Sequence, residues 1–222
     1  MTEVRSLFAG KSIKIIRVLL VDYPAELTLR EICEKAGVSL RWASVVAKAL
    51  IRENLALRES QKSALRIMAP FDLLKRWATV NNFVANTKFV DYYSKEEDIT
   101  KFFGQFKGKK GPEYAFTVLA GGLLTSPFVR PTNVHLYVKS EEDAKKWTRL
   151  LDLVPVEKNG NVKFAIAESP GVFYGAKEID GVRVVSDVQL YVDLLNYPAR
   201  GEEAAQAVLK VIEKRWKQAK VD

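Results

Sequence analysis

The stretch Thr28–Leu50 leaves this chain the least conformational freedom. Thr28-Leu29-Arg30-Glu31 has capping-box spacing, in which a hydroxyl and a carboxylate satisfy the backbone N–H groups that open a helix. The helix so opened has Ile32, Cys33 and Ala36 on its inner face. It should stop at Gly37, which enters the left-handed backbone region without a Cβ clash. Ser39 is then a suitable N-cap for a following helix from Leu40 to about Arg52. Small side chains at Cys33 and Ala43 let two helices joined by so short a turn cross closely. Upstream, Ser12–Asp22 carries a helical pattern (Ile13, Ile16, Val18, Leu20) that Pro24 stops.

The run TLREICEKAGVSLRWASVVAKAL thus resembles a helix-turn-helix. In its second helix Ala43, Val46, Ala47 and Leu50 form the inward stripe, while Arg41, Ser44, Val45, Lys48 and Arg52 occupy the other faces. No acid occurs in that helix before Glu53, as suits a helix lying between phosphate chains in a major groove. Two strands, Leu55–Glu59 and Ala64–Ala69, are expected next, around the polar tip Ser60-Gln61-Lys62-Ser63. A basic hairpin in this position reads as a wing. The expected DNA-facing residues are Ser39, Arg41, Ser44, Val45, Lys48 and Arg52 from the helix, with Arg58, Lys62 and Arg66 from the wing. A winged helix serving as a protein–protein module is the competing reading.

Charge supports the nucleic-acid reading. The chain of 222 residues carries a formal +8, and residues 1–80 hold 14 Lys and Arg against 8 Asp and Glu. The remainder holds 21 against 19. A single cysteine, Cys33, excludes an internal disulfide and a cysteine-rich zinc site, and it reads as a small core residue. Gly10-Lys11-Ser12 resembles the tail of a P-loop, but Arg5 stands where the first glycine is required. Lys14 and Arg17 interrupt any signal-peptide pattern, and the longest apolar run, Tyr114–Leu124, is too short for a bilayer. A cytoplasmic protein without membrane association is expected.

A helix from Phe71 to about Phe83 leads to a boundary between Asn81 and Tyr92, giving expected domains 1–85 and 86–222. The Lys/Gly segment 106–111 reads as a solvated loop. Beyond Glu113, strand-like runs (Asn133–Val138, Val162–Ala167, Val172–Gly175, Val182–Val185) alternate with helical ones (Tyr114–Leu124, Ser140–Leu151, Asp187–Leu195, Glu202–Lys220). The fold class is α+β, a winged helix followed by a mixed, α/β-like domain. Ser140 followed by Glu141, Glu142 and Asp143 reads as a helix cap with acids in the first turn.

Val184–Ala205, with Gln189-Leu190-Tyr191-Val192-Asp193-Leu194 and Arg200-Gly201-Glu202, together with Tyr114–Val138 and the winged helix, resembles the AbiEi family. These are antitoxins of type IV toxin–antitoxin systems. The resemblance implies repression of the protein's own operon at inverted repeats in double-stranded DNA, where a homodimer could sit. It also implies a C-terminal domain that counteracts a nucleotidyltransferase toxin without necessarily forming a stable complex with it. Gln189 and Asp193, four apart on one helical face, could join Arg200 in a polar cluster that contacts a partner; a structural network is the equal alternative.

Gly121-Gly122 followed by Arg130-x-Thr132 has the outline of a nucleotidyltransferase site. That chemistry needs paired carboxylates to hold divalent metal, yet the corresponding positions are Val134 and Leu136. The layout is degenerate, so no catalytic residue, metal or cofactor is expected, and the lone His135 reads as a surface or core residue. Two alternatives remain. One is a winged-helix regulator whose C-terminal domain senses a small ligand; the other is an enzyme drawing carboxylates from elsewhere in the fold.

Overall fold

The computed structural model describes residues 7–60, 62–127 and 130–219. Gln61 at the expected hairpin tip, Phe128 and Val129 within the Tyr114–Val138 run, and Lys220 lie outside the described residues. The chain divides into two compact units, Met1–Val80 with Ile212–Asp222, and Asn81–Val211.

In the first unit α1 (Lys11–Val21), α2 (Leu29–Ala36) and α3 (Leu40–Arg52) pack on one another, followed by β1 (Ala56–Leu57), β2 (Arg66–Ile67) and α4 (Pro70–Val80). The capping box at Thr28 is formed in both directions, with its backbone N–H donating to Glu31 Oε2 at 2.7 Å and Glu31 N–H donating to Thr28 Oγ1 at 3.3 Å. Gly37 adopts φ 61° and ψ 46° and donates its N–H to Cys33 O, which ends α2 and turns the chain into α3. Ser39 Oγ accepts from Trp42 N–H at 3.3 Å. β1 and β2 are antiparallel, and Leu27 bridges to Leu65 beside them. The regular strands are shorter than the sequence pattern predicts, because only the pairs Ala56–Ile67 and Leu57–Arg66 stay in ladder register.

Ile15, Ile16, Leu19, Leu20, Ile32, Val46, Leu50, Leu55, Leu65, Leu73 and Trp77 are all buried in this unit. Burying each large apolar side chain contributes roughly 1.5–3 kcal/mol. Trp216 joins them, its ring centroid 5.0 Å from Tyr23 and 4.8 Å from Phe71. The final segment therefore groups with the first unit, although the sequence pattern places all of 86–222 in one domain.

The second unit is built on a seven-stranded mixed sheet. In chain order its elements are α5 (Phe83–Asn86), β3 (Lys88–Tyr93), α6 (Ile99–Gly104), β4 (Tyr114–Thr117), α7 (Val118–Thr125), β5 (Val134–Val138) and α8 (Glu141–Leu151). There follow β6 (Val154–Pro155), β7 (Val162–Ile166), a 3-10 turn (Pro170–Phe173), β8 (Lys177–Ile179), β9 (Val182–Val184) and α9 (Asp187–Leu195). The last helix, α10 (Gly201–Gln218), begins here. The strand order is β6-β3-β7-β5-β4-β9-β8, with β5/β7 and β4/β9 parallel and the other pairs antiparallel. Every residue of the central β5 is buried, so both faces of the sheet are covered there.

Three expectations are corrected. Tyr114–Leu124 is not one helix: Tyr114–Thr117 is a strand, and its aromatic residues pack with Phe103, Phe106 and Trp147. Val172–Gly175 is not a strand; it begins within a 3-10 turn opened by Pro170, which supplies no N–H for a ladder. Lys88–Tyr93, which begins within the expected boundary, is a strand paired with β7 from Lys88 to Tyr92 and with β6 at its end.

Candidate functional site

Two groups of side chains carry functional potential, one in each unit. In the first, α3 buries Ala43, Val46, Ala47 and Leu50 and turns Arg41, Lys48 and Arg52 to solvent, with Ser44 and Val45 half-buried beside them. Ser39 is exposed at the N-terminus of that helix and is committed through its Oγ to the cap. Lys48, Arg52 and Lys62 take part in no ion pair among the described residues.

The two wing arginines hold structure as well as charge. Arg58 Nε donates to Ser63 O at 2.9 Å and closes the hairpin from within. Arg66 pairs with Glu26 at 2.5 Å, so part of its charge is already offset. The sequence reading overlooked Leu40. It is the first residue of α3 and 53% exposed, an apolar contact surface next to Arg41. Its place immediately after an N-cap is the signal that marks it.

The second group surrounds Asp193 on α9. Its carboxylate is 1% exposed and accepts from Thr117 Oγ1 at 2.6 Å, Gln189 Nε2 at 2.7 Å and Tyr137 Oη at 3.3 Å. The network thus ties β4, β5 and α9 together. Val118, the residue after Thr117, is fully buried with φ 39°, a strained position for a β-branched side chain that turns the chain from β4 into α7. Gly121 on α7 has no room for a Cβ, which would meet Leu190 of α9 at 2.9 Å and the Phe116 carbonyl at 3.1 Å. Of the three residues expected to cluster, the structure brings Gln189 and Asp193 together. Arg200 is exposed and donates instead to Glu203, at 2.7 Å through a terminal nitrogen and 3.2 Å through Nε.

Val134 and Leu136 point into the apolar core with Trp147 and Phe164. His135, on the opposite face of β5, is buried among Phe83, Phe89 and Tyr197, with ring centroids 5.5–6.0 Å away. Burial, with the Lys163 ammonium nearby, pushes its pKa down to about 4. Lys163 is itself held by Asp91 at 2.5 Å. Among the described residues no three His, Cys, Asp or Glu side chains are placed to hold a metal ion. No helix among them is long and apolar enough to cross a membrane.

Comparison with known families gives the class. Residues 66–214, about two thirds of the chain, match a family described as transcriptional regulator, AbiEi antitoxin, of a type IV toxin–antitoxin system. The chain belongs to this AbiEi antitoxin family. No curated protein and no solved structure gives a significant match. The matched region begins at Arg66, so α1, α2 and α3 lie outside it and their role rests on their own residues.

Proposed function

We propose that the first unit is a winged helix-turn-helix that binds double-stranded operator DNA, and that the second neutralises a nucleotidyltransferase toxin. One observation carries the DNA reading: α3, capped by Ser39 and free of acids, presents Arg41, Lys48 and Arg52 outward after a turn held by Gly37. Ser44 and Val45 flank that basic face, and Lys62, Arg58 and Arg66 supply charge from the hairpin. Counting charge by compact unit sharpens the case. The first unit holds 18 Lys and Arg against 10 Asp and Glu, and the second holds 17 against 17. The whole excess of +8 therefore belongs to the unit with the candidate interface.

Operator recognition at inverted repeats would place a homodimer on DNA, with autoregulation in the cytoplasm as the outcome. The second unit is proposed to act without catalysis, since the carboxylate positions of a nucleotidyltransferase are occupied by core Val134 and Leu136. Its partner-facing residues are then those near α9, with Arg200 at the surface and Gln189 and Asp193 fixing the frame behind it.

Gel-shift titration on the upstream region tests the DNA reading. Arg41→Ala should weaken specific binding by about 1–3 kcal/mol if the guanidinium reads a base edge. Lys62→Ala should weaken binding to all sequences alike and flatten its salt dependence. Unchanged affinity in both variants would sink the assignment. Co-expression with a cognate nucleotidyltransferase toxin tests the second activity.

A further inference from the structure

The second unit has no net charge, yet it gathers cations around one groove. This groove, of about 640 Å³, is lined by Lys110, Lys139, Lys146 and Arg149 with Pro112 and Leu150 between them. That volume is typical of small-molecule sites, which span roughly 300–1,000 Å³. Two carboxylates also line it. Glu113 is taken up on both oxygens, by Lys139 at 2.8 Å and Arg183 at 2.9 Å. Asp143 faces Lys146 at 3.5 Å. Lys110 and Arg149 have no ion-pair partner among the described residues, and both are exposed.

The lysine-rich segment expected to be a solvated loop is pinned to α8. Trp147 Nε1 donates to Pro112 O at 3.0 Å, and Lys109 Nζ donates to Leu150 O at 2.5 Å. Gly111 lies directly on the Trp147 indole, where a Cβ would approach ring carbons to 2.5 Å. These anchors spend one lysine and two backbone carbonyls and leave Lys110 on the groove wall. Lys146 and Arg149 stand one turn apart on α8, about 4.5 Å along its axis. The cations therefore lie on a loop and a helix that are fastened to each other, which lowers the cost of ordering the backbone around a ligand.

We infer that this groove binds a compact polyphosphate, the triphosphate of a nucleotide, between the Lys110/Lys139 wall and the Lys146/Arg149 wall. Facing cations surround a small, multiply charged anion from both sides. Glu113 and Asp143 line the same groove but are each paired with a lysine, which leaves Lys110 and Arg149 as the uncommitted charge for such an anion. Pro112 and Leu150, the latter 39% exposed, offer an apolar seat for the attached nucleoside. The site is separate from the Asp193 network, and it would let nucleotide supply bear on antitoxin activity.

Titration calorimetry of the full chain with inorganic triphosphate and with ATP tests this. Saturable binding of both, at one site per chain, is expected, weakening on the order of tenfold for each cation removed in Lys110→Ala and Arg149→Ala. Tighter binding of ATP than of triphosphate would place the nucleoside on Pro112 and Leu150. Lys158→Ala, an exposed lysine outside the groove, should leave both affinities unchanged. Absence of binding, or an equal loss in Lys158→Ala, would overturn the assignment. So would loss of operator affinity in the Lys110/Arg149 double variant, because the groove would then be part of a DNA surface.

Discussion

His135 and Asp193 are both polar and both buried, but they answer to different physics. His135 is the sole histidine, and its folded pKa of about 4 lies below the ordinary 6.5 because burial disfavours the imidazolium. The unfolded chain therefore binds the proton more readily. Stability from this residue is complete above about pH 6.5 and falls as the pH drops toward 4, by roughly 3 kcal/mol in all. Its single imidazole resonance should show a neutral ring down to about pH 5 in the folded protein. A midpoint near 6.5 would contradict the buried placement. Asp193 instead accepts three hydrogen bonds inside the fold. Asp193→Ala orphans three donors and should cost about 3 kcal/mol or more in chemical denaturation. A variant as stable as the parent would show that the network is dispensable. Loss of toxin neutralisation in such a variant would report unfolding unless circular dichroism matched the parent.

At the scale of elements, α3 shows how a cap can be separated from an interface. Ser39→Ala should cost about 1 kcal/mol of stability in the first unit, through the lost bond to Trp42 N–H. Ser39→Asp caps as well as serine, but it places a carboxylate at the end of the helix proposed to face phosphates. It should keep the melting temperature and weaken operator binding. If Ser39→Asp binds DNA like the parent, the N-terminus of α3 is not at the duplex. α2, α3 and α8 were legible in the sequence because their caps act over three residues: Thr28 with Glu31, Ser39 with Trp42, Ser140 with Asp143. β3 was not legible. Its KFVDYY pattern holds both Lys88 and Asp91, and its stability comes from pairing with β7, where Lys163 neutralises Asp91 across some seventy residues of chain.

For the whole molecule, the return of the last helix changes how the two activities can be separated. A fragment starting near Tyr92 would remove most of β3 and the hydrogen bonds of Asn81 to Val192 O and from Asn196. The better fragment is Asn81–Val211, which keeps the sheet entire and has no net charge. It should fold, neutralise the cognate toxin and leave the promoter unrepressed. Cells expressing a folded fragment yet left unprotected would argue against an antitoxin activity located in this unit. The complementary prediction is that residues 1–80 alone are less stable than the parent first unit, because Trp216 no longer covers Tyr23 and Phe71.

Local chemistry alone determined the pair of helices around Gly37, the basic outer face of α3, the capped start of α8 and the residues that place the chain among AbiEi antitoxins. The caps, the turn and the helix face depend on side chains within one or two helical turns of each other, and the family resemblance on the identity of residues in short runs, so the order of residues is enough to specify them. Tertiary structure decided the rest. It split Tyr114–Leu124 into a strand and a helix, since β4 pairs with β5 and β9 on either side. It drew Asp193 inside, because donors from β4 and β5 meet it there. It also returned Trp216 to the first unit and set the lysine loop against α8. Strand pairing and burial are settled by partners far along the chain, and no window of neighbouring residues contains that information.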